Sequence, residues 1–188
     1  MPRFVIQQHH ATSLHWDFRL EVCGTYKSWA VPKGPSTDPR DKRLAMAVDD
    51  HSLDWGDFEG TIGEGDYGAG SVIVWDRGSY ENLRDEPMED ALAAGHASVW
   101  LEGEKLVGGW SLRHTDGRRW LLVKRRDEHA DSGDPVAERP ESVVSGATIG
   151  PRGPTRDQLY SEARQLDIEG RSRMNKAQLR RAVDNRKR

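Results

Sequence analysis

The chain has 188 residues, of which 35% are hydrophobic and 31% are charged, and its mean hydropathy is −0.82. This length suits one domain of about 150 residues with its own core plus a short appendage, and it excludes two large domains. The composition lies on the polar side of the globular range, and seven Trp residues supply much of the apolar surface that a small core needs. We therefore expect a folded protein.

The single cysteine and the amino terminus exclude several classes of protein. Cys23 alone cannot form an internal disulfide or a multi-cysteine zinc or iron–sulfur site, so a metal must be held by His and carboxylate ligands. No run of about 18 apolar residues can span a bilayer, and the residues after Met1 resemble a strand rather than a signal peptide. The expected location is the cytoplasm, with no membrane partner.

Charge is distributed unevenly along the chain. Residues 1–150 hold 17 Lys and Arg against 26 Asp and Glu, or −9, whereas residues 151–188 hold 11 against 5, or +6. An acidic body with a basic tail is typical of a domain that uses bound cations beside a segment that binds a polyanion.

The first clear strand signal is a strict apolar and polar alternation over residues 14–22. The residues predicted to face a core are Leu14, Trp16, Phe18, Leu20 and Val22. Successive side chains of a strand point to opposite faces. The polar residues predicted to share the other face are His15, Asp17, Arg19 and Glu21.

Two more strands follow in the first third of the chain. Cys23-Gly24 predicts a two-residue turn into a strand over residues 25–31, which the prolines after it end. Residues 43–49 alternate again. Their predicted inward residues are Leu44, Met46 and Val48. The predicted opposite face carries Arg43 and Asp49, with His51 just beyond.

The rest of the body is also predicted to be mainly β. Shorter strands separated by turn residues are expected over 71–75, 97–101, 104–112 and 119–124, with a helix over 86–94. This spacing indicates a barrel or a sandwich. The Trp residues expected in the core are those at 29, 75, 100, 110 and 120.

The carboxyl-terminal third changes in composition. Residues 130–154 lack periodicity and predict a linker or a surface-draped segment. The tail then predicts two short helices, since Leu159 and Ala163, and then Leu179 and Val183, recur at helical spacing. Thr155 and Gln158 would cap the first helix. The predicted domains are a barrel over 1–130, a linker over 131–154 and a basic helical tail over 155–188.

A glycine-rich segment at residues 63–68 fits the pattern G-x-G-x-x-G. A dinucleotide-binding fingerprint requires a helix after the glycines, but the strand-like residues 71–75 follow here. We interpret the segment as a tight loop in which Glu64 and Tyr67 make local contacts.

A cluster of metal-ligating residue types lies near the amino terminus. His15 and Asp17 share one strand face and can both reach a single ion, and His9 can supply a third ligand, with His10 beside it. Imidazole with carboxylate suits Mn²⁺, Zn²⁺ or Fe²⁺. Arg19, next along the same face, can hold a phosphate oxygen.

These residues can also be interpreted as a solvent-exposed polar strand face with no function. A polar strand face is often simply solvated, and a surface His–Asp pair contributes less than about 1 kcal/mol. The second strand favours function, because Arg43 and His51 also present a cation and an imidazole to one side. Lys33 is expected to be solvated. The histidines left outside the site are His96, His114 and His129.

The sequence resembles the 3′-phosphoesterase domain of bacterial ligase D in several consecutive segments. The segments that carry the resemblance are QQHHATSLHWDFRLE at 7–21, KSWAVPKGP at 27–35, DHSLD at 50–54, FEG at 58–60 and GEGDYGAG at 63–70. Together they cover most of residues 3–80.

The resemblance implies a small closed antiparallel β-barrel and an enzyme of non-homologous end joining that depends on Mn²⁺, or on Zn²⁺ or another divalent transition metal. Such enzymes remove a 3′-terminal ribonucleoside and then a 3′-phosphate from DNA or RNA–DNA ends. The implied partners are a DNA ligase and a polymerase, and the implied setting is the nucleoid of a bacterial or archaeal cell. The implied metal ligands are His9, His15 and Asp17. The implied catalytic residues are Arg19 and His51. The implied supporting residues are Gln7, Ser28, Lys33, Arg43 and Asp49.

Two residues depart from the pattern of the family. Trp55 stands where tyrosine is common, so a phenolic donor near the phosphate is missing, and Asp49 stands where glutamate is usual. The chain is expected to be free-standing, without its own polymerase or ligase domain. The tail resembles SAP and Rho N-terminal modules, and its charge would add salt-sensitive affinity for nucleic acid. The alternatives are a non-catalytic module that binds nucleic-acid ends and a metal enzyme that acts on small phosphate esters.

Overall fold

The computed structural model describes residues 1–63, 68–149 and 156–186. The strands in these residues are β1 Arg3–His10, β2 Leu14–Val22, β3 Thr25–Val31, β4 Arg43–His51, β5 Gly60–Ile62, β6 Gly70–Asn82, β7 His96–Gly103, β8 Val107–Asp116 and β9 Arg119–Lys124. The α-helices are α1 Met88–Ala93, α2 Pro135–Glu138, α3 Arg156–Gln165 and α4 Lys176–Arg186. Short 3-10 helices lie at Leu53–Asp57 and Arg171–Arg173.

Eight of these strands close into an antiparallel barrel, as the resemblance implies. The strand order is β1-β2-β3-β4-β9-β8-β7-β6, and β6 pairs back onto β1. Closure leaves no free edge among these eight strands. The short strand β5 pairs with the first three residues of β6 and is an addition to the barrel wall.

The predicted face of β2 is confirmed for most of its residues. Trp16, Phe18, Leu20 and Val22 are buried in the main hydrophobic cluster inside the barrel. Leu14 was predicted to face the core, but its exposed fraction is 36%. It is the first residue of β2 and pairs with His10, the last residue of β1, so it lies at the rim of the barrel.

The predicted face of β4 is wrong. Ala45 is buried in the core and Ala47 packs against it, whereas Leu44 is 42% exposed. Ala45 pairs with Trp120, and Ala47 pairs with Trp29. Directly paired residues share a face, so the two indole rings occupy the space in front of these alanines. The larger side chains at the intervening positions of β4, including the predicted inward residues Met46 and Val48, are on the other face.

Four of the five tryptophans that were predicted to be in the core are buried there, namely Trp29, Trp75, Trp110 and Trp120. Trp100 is the exception, because its neighbours Val99 and Leu101 take the inward positions of β7. Its indole is partly exposed, donates to Glu102 at 2.5 Å and packs edge-on against a histidine.

Residues 131–149 pack on the barrel and contain α2. Lys105 holds part of this segment, because its ammonium donates to the carbonyl oxygens of Arg139 and Glu141. The same ammonium lies 4.6 Å from the centre of the Trp75 ring, whose indole N–H also donates to Arg139 at 2.7 Å. The first compact unit of the chain therefore extends to residue 149.

The second compact unit spans residues 150–188. Its helices α3 and α4 bury a small apolar cluster of Leu159, Ala163, Leu179 and Val183. The predicted cap of Thr155 and Gln158, and the predicted contacts of Glu64 and Tyr67, lie outside the described residues and side chains. Within the described ranges, no helix is long and apolar enough to cross a membrane.

Candidate active site

A cavity of about 530 Å³ opens on the outer face of the barrel wall formed by β1 to β4. Strand pairing builds its floor, because Gln7 lies opposite Asp17 and His9 lies opposite His15. Paired residues of antiparallel strands point to the same side. Side chains from β1 and β2 therefore meet in one polar patch at the floor of the cavity.

The 3-10 helix at Leu53–Asp57 forms one wall of this cavity. Leu53 packs with Val143 against a small apolar cluster of Val5, Tyr26 and Val74 on the outside of the barrel. A side chain at Gly56 would meet the Tyr26 hydroxyl at 2.5 Å, so glycine permits this close approach. The helix is thereby held against the barrel with Trp55 facing the cavity.

Three potential metal ligands converge at one end of the cavity. One donor atom from each of His9, His15 and Asp17 lies within 4.8 Å of the other two. His9 Nδ1 is 3.7 Å from one carboxylate oxygen of Asp17, and His15 Nε2 is 3.5 Å from the other. This is the convergence that the sequence pattern predicts.

The second nitrogen of each imidazole determines which atom faces the carboxylate. His9 Nε2 lies 2.7 Å from the carbonyl oxygen of Gly68, and His15 Nδ1 lies 3.1 Å from that of Ser13. A carbonyl oxygen only accepts hydrogen bonds, so each of these nitrogens must carry a proton. In the neutral rings, the nitrogens that face Asp17 are therefore lone-pair donors. Three lone-pair donors directed at one point fit a divalent cation.

Arg19 lies beside this cluster with its guanidinium nearly fully buried. Its Nε donates to Gln7 at 2.9 Å, Nη1 donates to Ser28 at 2.8 Å and Nη2 donates to Asp17 at 3.0 Å. A guanidinium has five N–H donors, so one N–H on each of Nη1 and Nη2 has no acceptor among the described residues. These two donors remain available to an anion in the cavity, which Arg19 lines.

The charges of the patch stabilise one another. Burial acts to raise the pKa of Asp17, but a hydrogen bond from His9, when both of its ring nitrogens carry a proton, and the guanidinium of Arg19 outweigh it, and the pKa lies below its ordinary value. Burial also lowers the pKa of Arg19, against the opposing charge of Asp17. Asp17 is therefore ionised at neutral pH and can serve both as a ligand and as a partner of Arg19.

His51 reaches the cavity through a bulge in β4. Ser28 pairs with Val48 and Tyr26 pairs with His51, so three steps along β4 match two along β3. An extra residue reverses the alternation beyond it. His51 consequently lies on the outer face, and its ring packs edge-on against Trp55 with the centroids 6.0 Å apart.

A model of the family described as the DNA ligase D 3′-phosphoesterase domain matches residues 7–114, which is more than half of the chain. The chain belongs to this family. The match includes every residue of the polar patch, from Gln7 on β1 to His51 on β4.

Curated relatives carry the ligase D phosphoesterase sequence within much longer proteins. The multifunctional non-homologous end joining protein LigD of Pseudomonas aeruginosa is 54% identical over 157 residues, covering 80% of this chain and 18% of that protein. The LigD proteins of Mycobacterium tuberculosis and Mycolicibacterium smegmatis are 42% and 40% identical over 150 and 133 residues. Those alignments cover 78% and 67% of this chain, and 19% and 17% of the relatives. The chain thus spans less than a fifth of the length of these relatives.

Among the supporting residues that the ligase D resemblance implies, Gln7 and Ser28 contact Arg19 directly. Asp49 lines the cavity, but its side chain is exposed and bonded to Arg118 at 3.2 Å. Lys33 is exposed in the loop after β3. It is not among the described residues that line the cavity.

Arg43 does not join His51, which corrects the expectation that both turn toward one side. It precedes the bulge and pairs with the buried Leu122, so it lies on the core-facing side of β4, where it forms an ion pair with Asp41 at 3.1 Å. Alternation along the sequence placed the two residues together, and the inserted residue separates them.

Sequence reasoning missed the groups that orient the imidazole rings of His9 and His15 in this ligase D domain. Gly68 and Ser13 act through backbone carbonyl oxygens, which a pattern of side chains does not reveal. Gly68 has a φ of +80°, so the glycine-rich segment did contain a signal for this turn. Glu59 and Ser142 also escaped notice, because 83 residues separate them in sequence.

Proposed function

We propose that this chain is a metal-dependent phosphoesterase that acts on the 3′ ends of nucleic acid. It removes a 3′-terminal ribonucleoside and then the 3′-phosphate, leaving a 3′-hydroxyl for ligation. The observation that carries the proposal is the convergence of lone pairs from His9, His15 and Asp17 beside two N–H donors of Arg19 that have no acceptor among the described residues. Membership of the 3′-phosphoesterase family supports it.

The donor set suits Mn²⁺, with Zn²⁺ or another divalent transition metal as alternatives. His9 Nδ1, His15 Nε2 and the Asp17 carboxylate would hold the ion, and the carbonyl oxygens of Gly68 and Ser13 orient the rings. Such an ion supplies Lewis acidity and lowers the pKa of water. Three protein ligands leave coordination positions for water and phosphate.

Arg19 binds and orients the phosphoryl group. Its guanidinium is fixed by Gln7, Ser28 and Asp17, so its two remaining N–H groups are aimed before the substrate arrives. Donors that are already positioned need no reorganisation as negative charge builds on the phosphoryl oxygens. The rigid support of the Arg19 guanidinium therefore contributes to stabilisation of the transition state.

His51 provides a second donor on the other side of the cavity. In the first step, water attacks phosphorus and the bond to O5′ of the terminal ribonucleoside breaks. In the second step, water attacks the remaining 3′-phosphate and the bond to O3′ breaks. Each leaving oxygen acquires a proton, and His51 donates a hydrogen bond to the phosphoryl group throughout.

The relatives and the site together support the proposed substrates. The relatives are named as non-homologous end joining proteins. We therefore propose DNA or RNA–DNA 3′ ends as substrates, and a DNA ligase and a polymerase as the proteins that act on the same ends. The basic residues of α3 and α4 support additional sequence-independent contact with nucleic acid.

A primer-template that ends in one 3′-ribonucleotide tests the proposal. We expect conversion first to a 3′-phosphate and then to a 3′-hydroxyl with Mn²⁺, and no conversion with EDTA. Equal processing in both reactions would rule out the metal mechanism. Tight binding of 3′-phosphate ends without turnover would instead identify an end-binding module, and equal turnover of nucleoside 3′-monophosphates would identify an enzyme for small esters.

A further inference from the structure

A second cavity, of about 560 Å³, lies on the outer face of β7 and β8. Its polar lining includes Arg84, His96, Ser98, Ser111, Arg113 and Arg125. In the barrel, β8 is the fourth strand from β2 in either direction. This cavity is therefore on the opposite side of the barrel from the reaction cavity, and a phosphate bound at Arg19 cannot fill it.

Strand pairing brings these residues together from separate parts of the chain. His96 lies opposite Arg113, and Ser98 lies opposite Ser111. Arg84 comes from the loop between β6 and α1, and Arg125 directly follows β9. The arrangement is thus a product of the fold and not of one charged run in the sequence.

The cavity is rich in hydrogen-bond donors. Arg84 Nη1 lies 3.0 Å from His96 Nδ1, and arginine can only donate, so Nδ1 accepts and the neutral ring carries its proton on Nε2. The hydroxyl oxygens of Ser98 and Ser111 are 3.4 Å apart. An imidazole N–H, two hydroxyls and guanidinium groups therefore surround one space.

Among the described residues, two of the three arginines have no acidic partner within ion-pair distance. Arg84 forms an ion pair with Glu86 at 2.5 Å, and Asp85 is an exposed carboxylate at the same cavity. Arg113 and Arg125 form no ion pair with any residue in the described ranges. Burial and then the charge of Arg113 lower the pKa of His96, and Arg84 and Arg125 act in the same direction. Positive charge thus accumulates here although the barrel region as a whole is acidic.

We propose that this cavity, which we call the arginine pocket, binds an oxyanion of the phosphate class. Arg113 and Arg125 supply the charge, and the serine hydroxyls supply further donors. Guanidinium groups match the geometry of phosphate oxygens and form charge-assisted hydrogen bonds with them. The ligand is either a free phosphate compound or a phosphodiester of a nucleic-acid strand away from its 3′ end.

The imidazole NMR signals of the whole protein test this proposal, because His96 reports on the arginine pocket and His51 reports on the reaction cavity. We expect titration with inorganic phosphate, and separately with pyrophosphate, to shift the His96 signal to saturation. Arg113→Gln and Arg125→Gln should each weaken this binding by about tenfold, the loss expected for a charge-assisted hydrogen bond. Arg126→Gln is the matched control, since Arg126 is an exposed neighbour outside the pocket.

Two results would overturn the proposal. One is a shift of His51 with no shift of His96, and the other is equal affinity in all three variants. Closed circular single-stranded DNA, which has no 3′ end, distinguishes the two sources. Displacement of phosphate from His96 by the circle identifies a nucleic-acid strand as the ligand, and lack of displacement identifies a small phosphate compound. The kcat measured at saturating primer should be unchanged in Arg113→Gln, so failure here is distinct from failure of the proposed function.

Discussion

The guanidinium of Arg19 is joined to the side-chain amide of Gln7 by a 2.9 Å hydrogen bond from Nε to Oε1, and both side chains are buried. The amide nitrogen of Gln7 in turn donates to the carbonyl oxygens of Trp55 at 2.7 Å and Phe58 at 3.0 Å. Gln7 therefore connects the guanidinium of Arg19 to the segment from Trp55 to Phe58 at the cavity wall.

Gln7→Leu should lower kcat while the protein remains folded. The substitution leaves a buried charged donor without its acceptor and releases the wall segment, so Arg19 no longer holds one position. We expect kcat to fall by about tenfold or more, equivalent to about 1.4 kcal/mol in the activation free energy. Steady-state kinetics on a 3′-phosphate primer, with circular dichroism as a check of folding, measure the effect.

Gln8 provides the matched control for this variant. It is the next residue on β1 and is also buried, but it points to the other face, and its Oε1 has no partner among the described residues. Gln8→Leu should leave kcat unchanged. Similar losses of kcat in both variants would show that leucine at either position disrupts β1. That result would contradict the role assigned to Gln7.

Glu59→Gln should weaken the support of the cavity wall from a greater distance. One oxygen of Glu59 accepts the Val74 N–H at 2.8 Å and the hydroxyl of Ser142, and Phe58, which accepts from Gln7, is the preceding residue. Glutamine keeps the acceptor oxygen but not its charge, so both bonds weaken, and the free energy of unfolding should fall by about 1 kcal/mol. Urea unfolding measures it, and the control is Glu81→Gln at an exposed position of β6. Equal stability of the two variants would contradict the assignment.

The polar patch could be predicted from the sequence where a strand is regular. Alternation along β2 placed His15, Asp17 and Arg19 on one face, and the structure has them there. The period of two decides the face of every residue in an uninterrupted strand. His9 was already predicted as a third ligand and His51 as an imidazole turned to one side, and the resemblance to the ligase D domain assigned both to the same site.

The rest of the site depends on features that local alternation does not encode. The bulge in β4 separates Arg43 from His51, and neither flanking residue is a glycine that would mark it. Two inward positions of β4, Ala45 and Ala47, are small because Trp29 and Trp120 fill the interior from neighbouring strands. Such complementarity of large and small side chains is a property of packing between strands and cannot be read from one of them.

His15→Ala should abolish both proposed activities without unfolding the protein. His15 lies on the outer face of β2, so no core contact is lost, but one of the three convergent donors is removed. The loss of Mn²⁺ affinity should exceed the roughly 10- to 100-fold loss typical of a residue that only orients a ligand. Calorimetric titration with Mn²⁺ measures it. His10→Ala, outside the cluster, should bind Mn²⁺ normally, and equal affinities would exclude His15 as a ligand.

The pH dependence of the reaction should reflect a neutral His51. Burial, and then the charge of Arg19, lower the pKa of His51 below 6.5, whereas Asp17 and Asp49 oppose this shift less strongly. The ring is therefore mostly neutral at and above pH 6.5, and an activity that requires this neutral ring predicts kcat/KM that rises with pH through this limb. The limb should be absent from His51→Gln. Activity that instead falls as the pH rises through the same midpoint would identify His51 as a general acid.

Asp76 should make the stability of the barrel depend on pH. Its carboxylate is fully buried and accepts the N–H groups of Arg77, Lys105 and Leu106, each at 2.9 Å. Burial outweighs these bonds and raises the pKa of Asp76 from 3.8 to about 6. Because the folded protein holds this proton more tightly than the unfolded chain, the stabilisation is complete below pH 3.8 and is lost as the pH rises to about 6.

The change should amount to about 3 kcal/mol, the product of the pKa difference and 1.36 kcal/mol for each unit. Other carboxylates also titrate in this range, so the quantity to measure is the difference in unfolding free energy between the native protein and Asp76→Asn. The asparagine is neutral at every pH, and its amide nitrogen cannot accept an N–H, so the variant is less stable throughout. The native protein's advantage should shrink as the pH rises from about 4 to about 7. An advantage that stays constant would mean that Asp76 is already ionised in the folded barrel at low pH, and that its three N–H donors outweigh burial.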